Sequence, residues 1–115
     1  NTIEILGNGK QTRCFIHVED LSDAIVKCLS KKIVNTDFNV GGAKEFSINQ
    51  IVDNINNIVS PKKKLKKIYV KSYLDDVKRQ FMNCSKAKKE LKWKEDIHFK
   101  DGLKSMVEWL IMNIK

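Results

Sequence analysis

Hydrophobic positions along the chain change period several times, and each change marks an element. Ile3-Glu4-Ile5-Leu6 alternates and ends at Gly7, which predicts a short strand. Gly7-Asn8-Gly9 predicts a turn. Gln11 to Val18 predicts a second strand, aromatic and β-branched at Phe15-Ile16-His17-Val18. These two strands are expected to pair as an antiparallel hairpin. The spacing then becomes helical. Leu21, Ala24, Ile25, Cys28 and Leu29 form one apolar stripe, with Glu19-Asp20 opening the helix, Asp20 as its cap, and Lys31-Lys32 at the negative end of its dipole. Asp37-Phe38-Asn39-Val40 predicts a third strand, stopped by Gly41-Gly42.

The next helix carries the clearest start signal. Ser47 is its N-cap, Gln50 completes a capping box, and Phe46 with Ile51 is placed to form a hydrophobic staple. Ile48, Ile51, Val52, Ile55, Ile58 and Val59 continue its apolar stripe until Pro61 stops it. Leu65 to Val70 alternates and predicts an exposed or edge strand whose lysines oppose edge-to-edge pairing. Residues 73–84 are irregular. Ser85 is expected to cap a short helix through Leu91, and Asp101 to start a last helix with Leu103, Met106, Val107, Leu110, Ile111 and Ile114 on its buried face. The predicted order is β-β-α-β-α-β-α-α, an α/β class fold of small mixed β-strands packed by helices.

At 115 residues the chain is expected to be a single domain, residues 1–115, with no internal boundary, repeat or low-complexity linker. A hydrophobic content of 42% against 31% charged residues fits a folded chain rather than a disordered one. No apolar run approaches the ~20 residues of a membrane span, so no membrane partner is expected. Cys14, Cys28 and Cys84 are odd in number and widely spaced, which predicts free thiols in a reducing, cytoplasmic setting. The chain opens on Asn1 with no basic and apolar leader, and is read as having lost sequence upstream. The net charge of +8 is carried largely by Lys62, Lys63, Lys64, Lys66, Lys67 and Lys71 and by Lys86, Lys88, Lys89, Lys92 and Lys94. The chain is also rich in Asn and Ile, so this is read as a solvated basic face shaped by compositional bias, in preference to a nucleic-acid surface.

A search for chemistry finds no active site. His17 and His98 have no Cys or carboxylate at a diagnostic spacing and read as core or surface histidines. Zinc ligation would need more paired Cys and His. Glu19-Asp20 reads as first-turn acids and Asp75-Asp76 as a solvated loop. Gly7-Asn8-Gly9 and Gly41-Gly42 do not form G-x-G-x-x-G, and no phosphate-binding loop signature is present.

Six motifs, in order, carry a resemblance. The first is Gly7-Asn8-Gly9-Lys10-Gln11-Thr12-Arg13-Cys14-Phe15-Ile16-His17-Val18-Glu19-Asp20-Leu21-Ser22-Asp23-Ala24. It is followed by Phe38-Asn39-Val40-Gly41-Gly42 and Ser47-Ile48-Asn49-Gln50-Ile51. Then come Asp76-Val77-Lys78-Arg79 and Ser85-Lys86-Ala87-Lys88-Lys89-Glu90-Leu91-Lys92-Trp93, with Gly102-Leu103 and Glu108-Trp109 closing the run. Over essentially the whole chain this resembles the extended short-chain dehydrogenase/reductases, the NAD(P)-dependent sugar-nucleotide epimerases and dehydratases.

The resemblance implies the C-terminal part of that NAD(P)-binding Rossmann-like fold. The Gly-rich dinucleotide fingerprint and the Tyr-x-x-x-Lys catalytic pair of the family lie upstream of everything matched here. It therefore implies that NAD(P) belongs to the full-length enzyme and is not bound fully by this segment. The implied partners are a UDP-, dTDP- or GDP-sugar, the N-terminal Rossmann portion, and a second copy in a full-length homodimer. The implied catalytic residues in this segment are none, and the segment alone is expected to be inactive.

For substrate binding, the resemblance singles out Arg13 as the arginine that contacts the nucleotide diphosphate; an ion pair with Glu19 or Asp20 is the alternative. A guanidinium grips two phosphate oxygens at once, which suits that role. Ser47 caps a helix whose N-terminus could add positive potential near the ligand, with capping alone the preferred reading. Tyr73 stands where the family has the first Arg of R-P-G-D-x-x-R, and Asp75 where it has Gly; Lys78 or Arg79 is the candidate substitute for the lost cation. Cys14 replaces the family Asp after Arg13, and Lys92 the Gly before Trp93. Two other functions stay open at this stage. One is a non-catalytic basic module holding an anionic nucleotide or nucleic acid. The other is a non-catalytic relative that uses the fold as a scaffold.

Overall fold

The computed structural model describes residues 2–30 and 32–114. The elements are β1 (Thr2–Leu6), β2 (Thr12–Cys14), α1 (Val18–Cys28), β3 (Glu45–Ser47), α2 (Ile48–Val59), β4 (Lys66–Val70), α3 (Ser85–Glu90) and α4 (Phe99–Asn113). The order of strand and helix is the one read from the sequence, but two strands are not the expected ones. Residues 37–40 form no strand; the third strand is Glu45–Ser47. The second strand stops at Cys14 instead of running to Val18.

The expected hairpin does not form. β1 pairs in parallel with β4, from Thr2 opposite Lys66 to Leu6 opposite Val70. β2 pairs antiparallel with β3, Arg13 opposite Phe46 and Cys14 opposite Glu45. The left-handed turn at Gly7 and Gly9 (φ +72° and +68°) is what carries the chain from one small sheet to the other. Gly9 is close to α2, where an added Cβ would sit 2.6 Å from the Asn49 side chain.

Three helix starts also differ. α1 begins at Val18 with His17 as N-cap, its Nδ1 accepting from the Glu19 N–H, so Asp20 lies inside the helix instead of capping it. Cys84, not Ser85, precedes α3, and Asn83 Oδ1 accepts from the Ser85 N–H. α4 begins at Phe99, two residues before Asp101. α1 ends at Cys28 with Lys27 in its last turn; Lys31, half of the lysine pair expected there, lies outside the described residues. The α2 start forms as read: Ser47 Oγ accepts from the Gln50 N–H, and Gln50 Oε1 from the Ser47 N–H.

One core cluster joins Ala24 of α1 to Cys84, Ala87, Leu91 and Trp93, with Ile16, Phe38, Val40 and Met82 packed against it. Asp20 fastens this core. Its main-chain carbonyl accepts from Trp93 Nε1 at 2.9 Å, and its carboxylate accepts from the N–H groups of Asp96 and Ile97 at 3.2 and 3.1 Å. α2 packs on α4, burying Val52, Leu103 and Val107. Phe99 stacks on Phe46 with ring centroids 4.1 Å apart and meets Phe15 at 5.6 Å, which ties α4 to the β2–β3 sheet.

Much of the predicted apolar surface is uncovered. On α1 only Ala24 of the stripe is buried, while Ile25 and the C-cap Leu29 are exposed, as are Met106 and Ile111 on α4 and its C-cap Ile114. The radius of gyration is 17.0 Å, against about 13 Å for a compact domain of this length.

Candidate functional site

The candidate site is built on three short segments: β2, β3 and residues 76–80. Thr12 and Arg79 form a parallel bridge, with the Thr12 N–H donating to Lys78 O and the Gln80 N–H to Thr12 O. Thr12 is therefore the centre of a three-segment patch, flanked by Ser47 and Arg79. Paired residues in a ladder project to the same face. Thr12, Cys14, Glu45, Ser47 and Arg79 share one face; Arg13 and Phe46 take the other.

Arg13 is held by three hydrogen bonds. Its Nη1 donates to the carbonyls of Thr12 and Val77 at 2.8 and 2.7 Å, and its Nη2 to Asp76 Oδ1 at 3.0 Å. The ion-pair partner is thus Asp76, not Glu19 or Asp20. Asp20 is engaged elsewhere, on the loop before α4. Among the described residues no acceptor meets Arg13 Nε. The side chain keeps 23% of its surface exposed. The guanidinium is oriented by the chain yet still has N–H groups to offer.

Arg79 is committed differently. Its Nε and Nη2 grip the two Glu45 oxygens at 2.8 and 2.7 Å, and Thr12 Oγ1 donates to the same carboxylate at 2.8 Å. The Arg79 hydrogen bond, then that of Thr12, holds the Glu45 carboxyl below its ordinary range, and Glu45 in turn raises Arg79. Burial, reinforced by Glu45, pushes the Cys14 thiol up. Arg13 and Arg79 sit on adjacent backbone but face opposite sides, so they do not converge on one anion.

Ser47 faces Thr12 in the ladder and spends its oxygen on the cap. The first-turn N–H groups of α2 are all taken: Ile48 donates to Gln11 O, Asn49 to Gly9 O, and Gln50 to Ser47 Oγ. Tyr73 is exposed on the turn that leads to Asp76. Asp76, Glu45 and Thr12 are the polar residues of this patch that sequence reasoning missed. Asp76 was within reach, because it occupies the acidic position of R-P-G-D-x-x-R; Asp75-Asp76 is half solvated loop and half arginine partner.

Neither of the two places that could cradle a dinucleotide phosphate in the manner of a Gly-rich turn and helix N-terminus is so arranged. The Gly7–Gly9 turn leads to a strand instead of a helix, and the N-terminal donors of α2 are occupied. Among the described residues there is no metal-ligating cluster and no helix long and apolar enough to cross a membrane.

Residues 1–106 match the profile of a family described as GDP-mannose 4,6 dehydratase. The chain is 36% identical over 116 residues to UDP-glucuronate 4-epimerase of Thermodesulfobacterium geofontis, covering 98% of this chain and 34% of that protein. Among solved structures, dTDP-glucose 4,6-dehydratase of Bacillus anthracis, in complex with NAD, superposes with a TM-score of 0.87 at 29% identity. It covers 98% of this chain and 35% of its own. UDP-glucuronic acid 4-epimerase of Bacillus cereus, in complex with UDP-glucuronic acid and NAD, gives 0.87 at 27% identity, covering 97% of this chain and 36% of its own. The chain spans about a third of the length of the curated relatives it matches.

Proposed function

The chain belongs to the extended short-chain dehydrogenase/reductases, in the family described as GDP-mannose 4,6 dehydratase, and from that premise we propose that it is the nucleotide-sugar-binding portion of an NAD(P)-dependent epimerase or dehydratase. Arg13 carries the reading. Its guanidinium is fixed by Thr12, Val77 and Asp76 and keeps Nε–H free for a phosphate oxygen. A donor held in place before the ligand arrives loses little entropy on binding, so it orients the nucleotide efficiently. The work of this portion is positioning: it holds the diphosphate so that the sugar faces the reacting groups.

Those groups lie outside this chain's residues in the reading proposed here. The acid/base Tyr, its Lys partner and the NAD(P) site belong to the remaining two-thirds of a chain the length of its relatives, and this segment alone is inactive. The uncovered apolar stripes of α1 and α4 and the wide radius of gyration support an upstream portion that packs here. Arg79 contributes by fastening residues 78–80 to Glu45, Ser47 by starting α2, and Tyr73 by flanking the turn, where an arginine would have added a second charge.

The test is calorimetric titration with UDP-, dTDP- and GDP-sugars, wild type against Arg13→Ala. The expected result is binding that weakens about tenfold or more in the variant, roughly 1.4 kcal/mol. Equal binding by the folded variant refutes the role given to Arg13, and the preferred nucleotide names the base.

A further inference from the structure

The three short segments that build the site carry balanced charge in a protein of charge +8, with Lys44 beside them over the Phe46 ring. Across segments 12–14, 45–47 and 75–80 the cations are Arg13, Lys78 and Arg79 and the carboxylates are Glu45, Asp75 and Asp76, equal in number. Both arginines are individually paired, Arg79 with Glu45 and Arg13 with Asp76. The lysine-rich stretches that give the chain its charge lie elsewhere in the sequence, at 62–71 and 86–94.

The Arg13–Asp76 pair is the informative one. Two backbone carbonyls, Thr12 and Val77, already fix the guanidinium through Nη1. A neutral acceptor at position 76 would complete the same hydrogen-bond set. The Asp76 carboxylate therefore adds a full negative charge that the orientation of Arg13 does not require. It does so at 3.0 Å from Nη2, with both side chains only about a quarter exposed, where water and salt screen incompletely.

We infer that Asp76 is a specificity-determining residue: its carboxylate cancels much of the charge preference of Arg13, so that the site recognises a diphosphate by hydrogen-bond geometry more than by total charge. The inference rests on the reading of Arg13 as the diphosphate ligand. Its consequence is selectivity between two ligands that share a nucleoside. A nucleotide sugar is a diphosphate diester; the free nucleoside diphosphate carries one further negative charge on its terminal phosphate. An unneutralised arginine favours the free nucleotide, and Asp76 removes that advantage, keeping the site open to the sugar conjugate.

A phosphate accepting from Nε–H is taken to lie about 7 Å from the Asp76 carboxylate, one guanidinium width plus a hydrogen bond at each end. At that distance one unit of ligand charge is worth about threefold in affinity even in a water-like dielectric, which sets the lower bound for a site where screening is incomplete. The experiment is titration of the full chain with UDP-glucose and with UDP at low ionic strength and mildly alkaline pH, for wild type, Asp76→Asn, Asp76→Glu and Arg13→Ala. The expected result is that D76N shifts the UDP to UDP-glucose affinity ratio toward UDP by about threefold or more, while D76E, which keeps the charge, holds the wild-type ratio. An unchanged ratio in D76N, or equal weakening of both ligands, refutes the inference and leaves Asp76 as an anchor alone. R13A that binds both ligands as wild type does refutes the reading of Arg13 itself. Asp76→Ser, which keeps an oxygen acceptor without the charge, gives the same decision if D76N does not fold.

Discussion

Asp20 is the residue whose replacement should cost this fold most for the smallest change in shape. It is 6% exposed, and each carboxylate oxygen accepts one backbone N–H, from Asp96 and from Ile97. Its own carbonyl holds the indole of Trp93, which is 1% exposed. In Asp20→Asn one acceptor oxygen becomes an NH2 donor facing an N–H donor. One hydrogen bond is lost outright, and the other becomes neutral. Hydrogen bonds to charged groups contribute about 1.5–3 kcal/mol each, and a buried donor left unmet costs a further ~1–3 kcal/mol. The sites are partly buried, so a loss of about 2–4 kcal/mol is expected for D20N, with Asp20→Ala in the same range or beyond. Urea unfolding followed by circular dichroism measures it. With a slope of about 1–2 kcal/mol per M for a chain of this size, the midpoint should fall by roughly 1–4 M. A D20N variant within ~0.5 kcal/mol of wild type would refute the claim that this carboxylate ties α1 to the segment before α4.

Two further outcomes follow from the geometry. Gly42→Ala places a Cβ 2.0 Å from the Phe15 carbonyl oxygen and 2.8 Å from its carbon, both backbone atoms that have little room to give; destabilisation beyond the ~1–3 kcal/mol usual for overpacking is expected, and an unchanged melting temperature would contradict it. Glu45 titrates below its ordinary range because Arg79, then Thr12, favours its charged form; its contribution is therefore present above the unfolded carboxylate range and is lost as pH falls through the lower folded value. Thermal unfolding of wild type and Glu45→Gln should differ near neutrality and converge in acid, and a gap that persists in acid excludes this ion pair as its source.

Element order and the α2 start, fixed by neighbouring residues, were legible in the sequence, although the other three helix starts were displaced by one to three residues; pairings fixed by distant residues were not. The α2 capping box is set by Ser47 and Gln50 three residues apart, and it forms as read. β1 and β4 are paired across some sixty residues, Ile5 opposite Tyr69, and no local pattern announces a parallel partner that far away. Glu45–Ser47 becomes a strand because β2 lies opposite it, while Phe38 and Val40, better strand formers, have no ladder partner and pack as extended chain on the core. The same division holds at the site. Arg13 was found through its motif, but its partner Asp76 lies 63 residues on, where two adjacent acids read as a solvated loop.

The apolar stripes of α1 and α4 make a sharper case, because there the periodicity was right and the burial was not. Periodicity reports that one side of a helix is meant to be dry; it does not report which chain dries it. In α1, Ala24 meets the Trp93 core while Leu29 is 78% exposed, and in α4, Leu103 and Val107 are buried while Met106 and Ile111 are not. Each helix is amphipathic over a wider arc than this chain covers. A radius of gyration about 4 Å above that of a compact domain of the same length follows from the same deficit, since residues that fail to close on a core stay apart. Both observations support the proposal that this portion works against a larger partner segment. The polar site is assembled independently of those stripes. Arg13 is set by Thr12, Val77 and Asp76, all within the chain, so the proposed anion-binding edge does not depend on the exposed apolar surface.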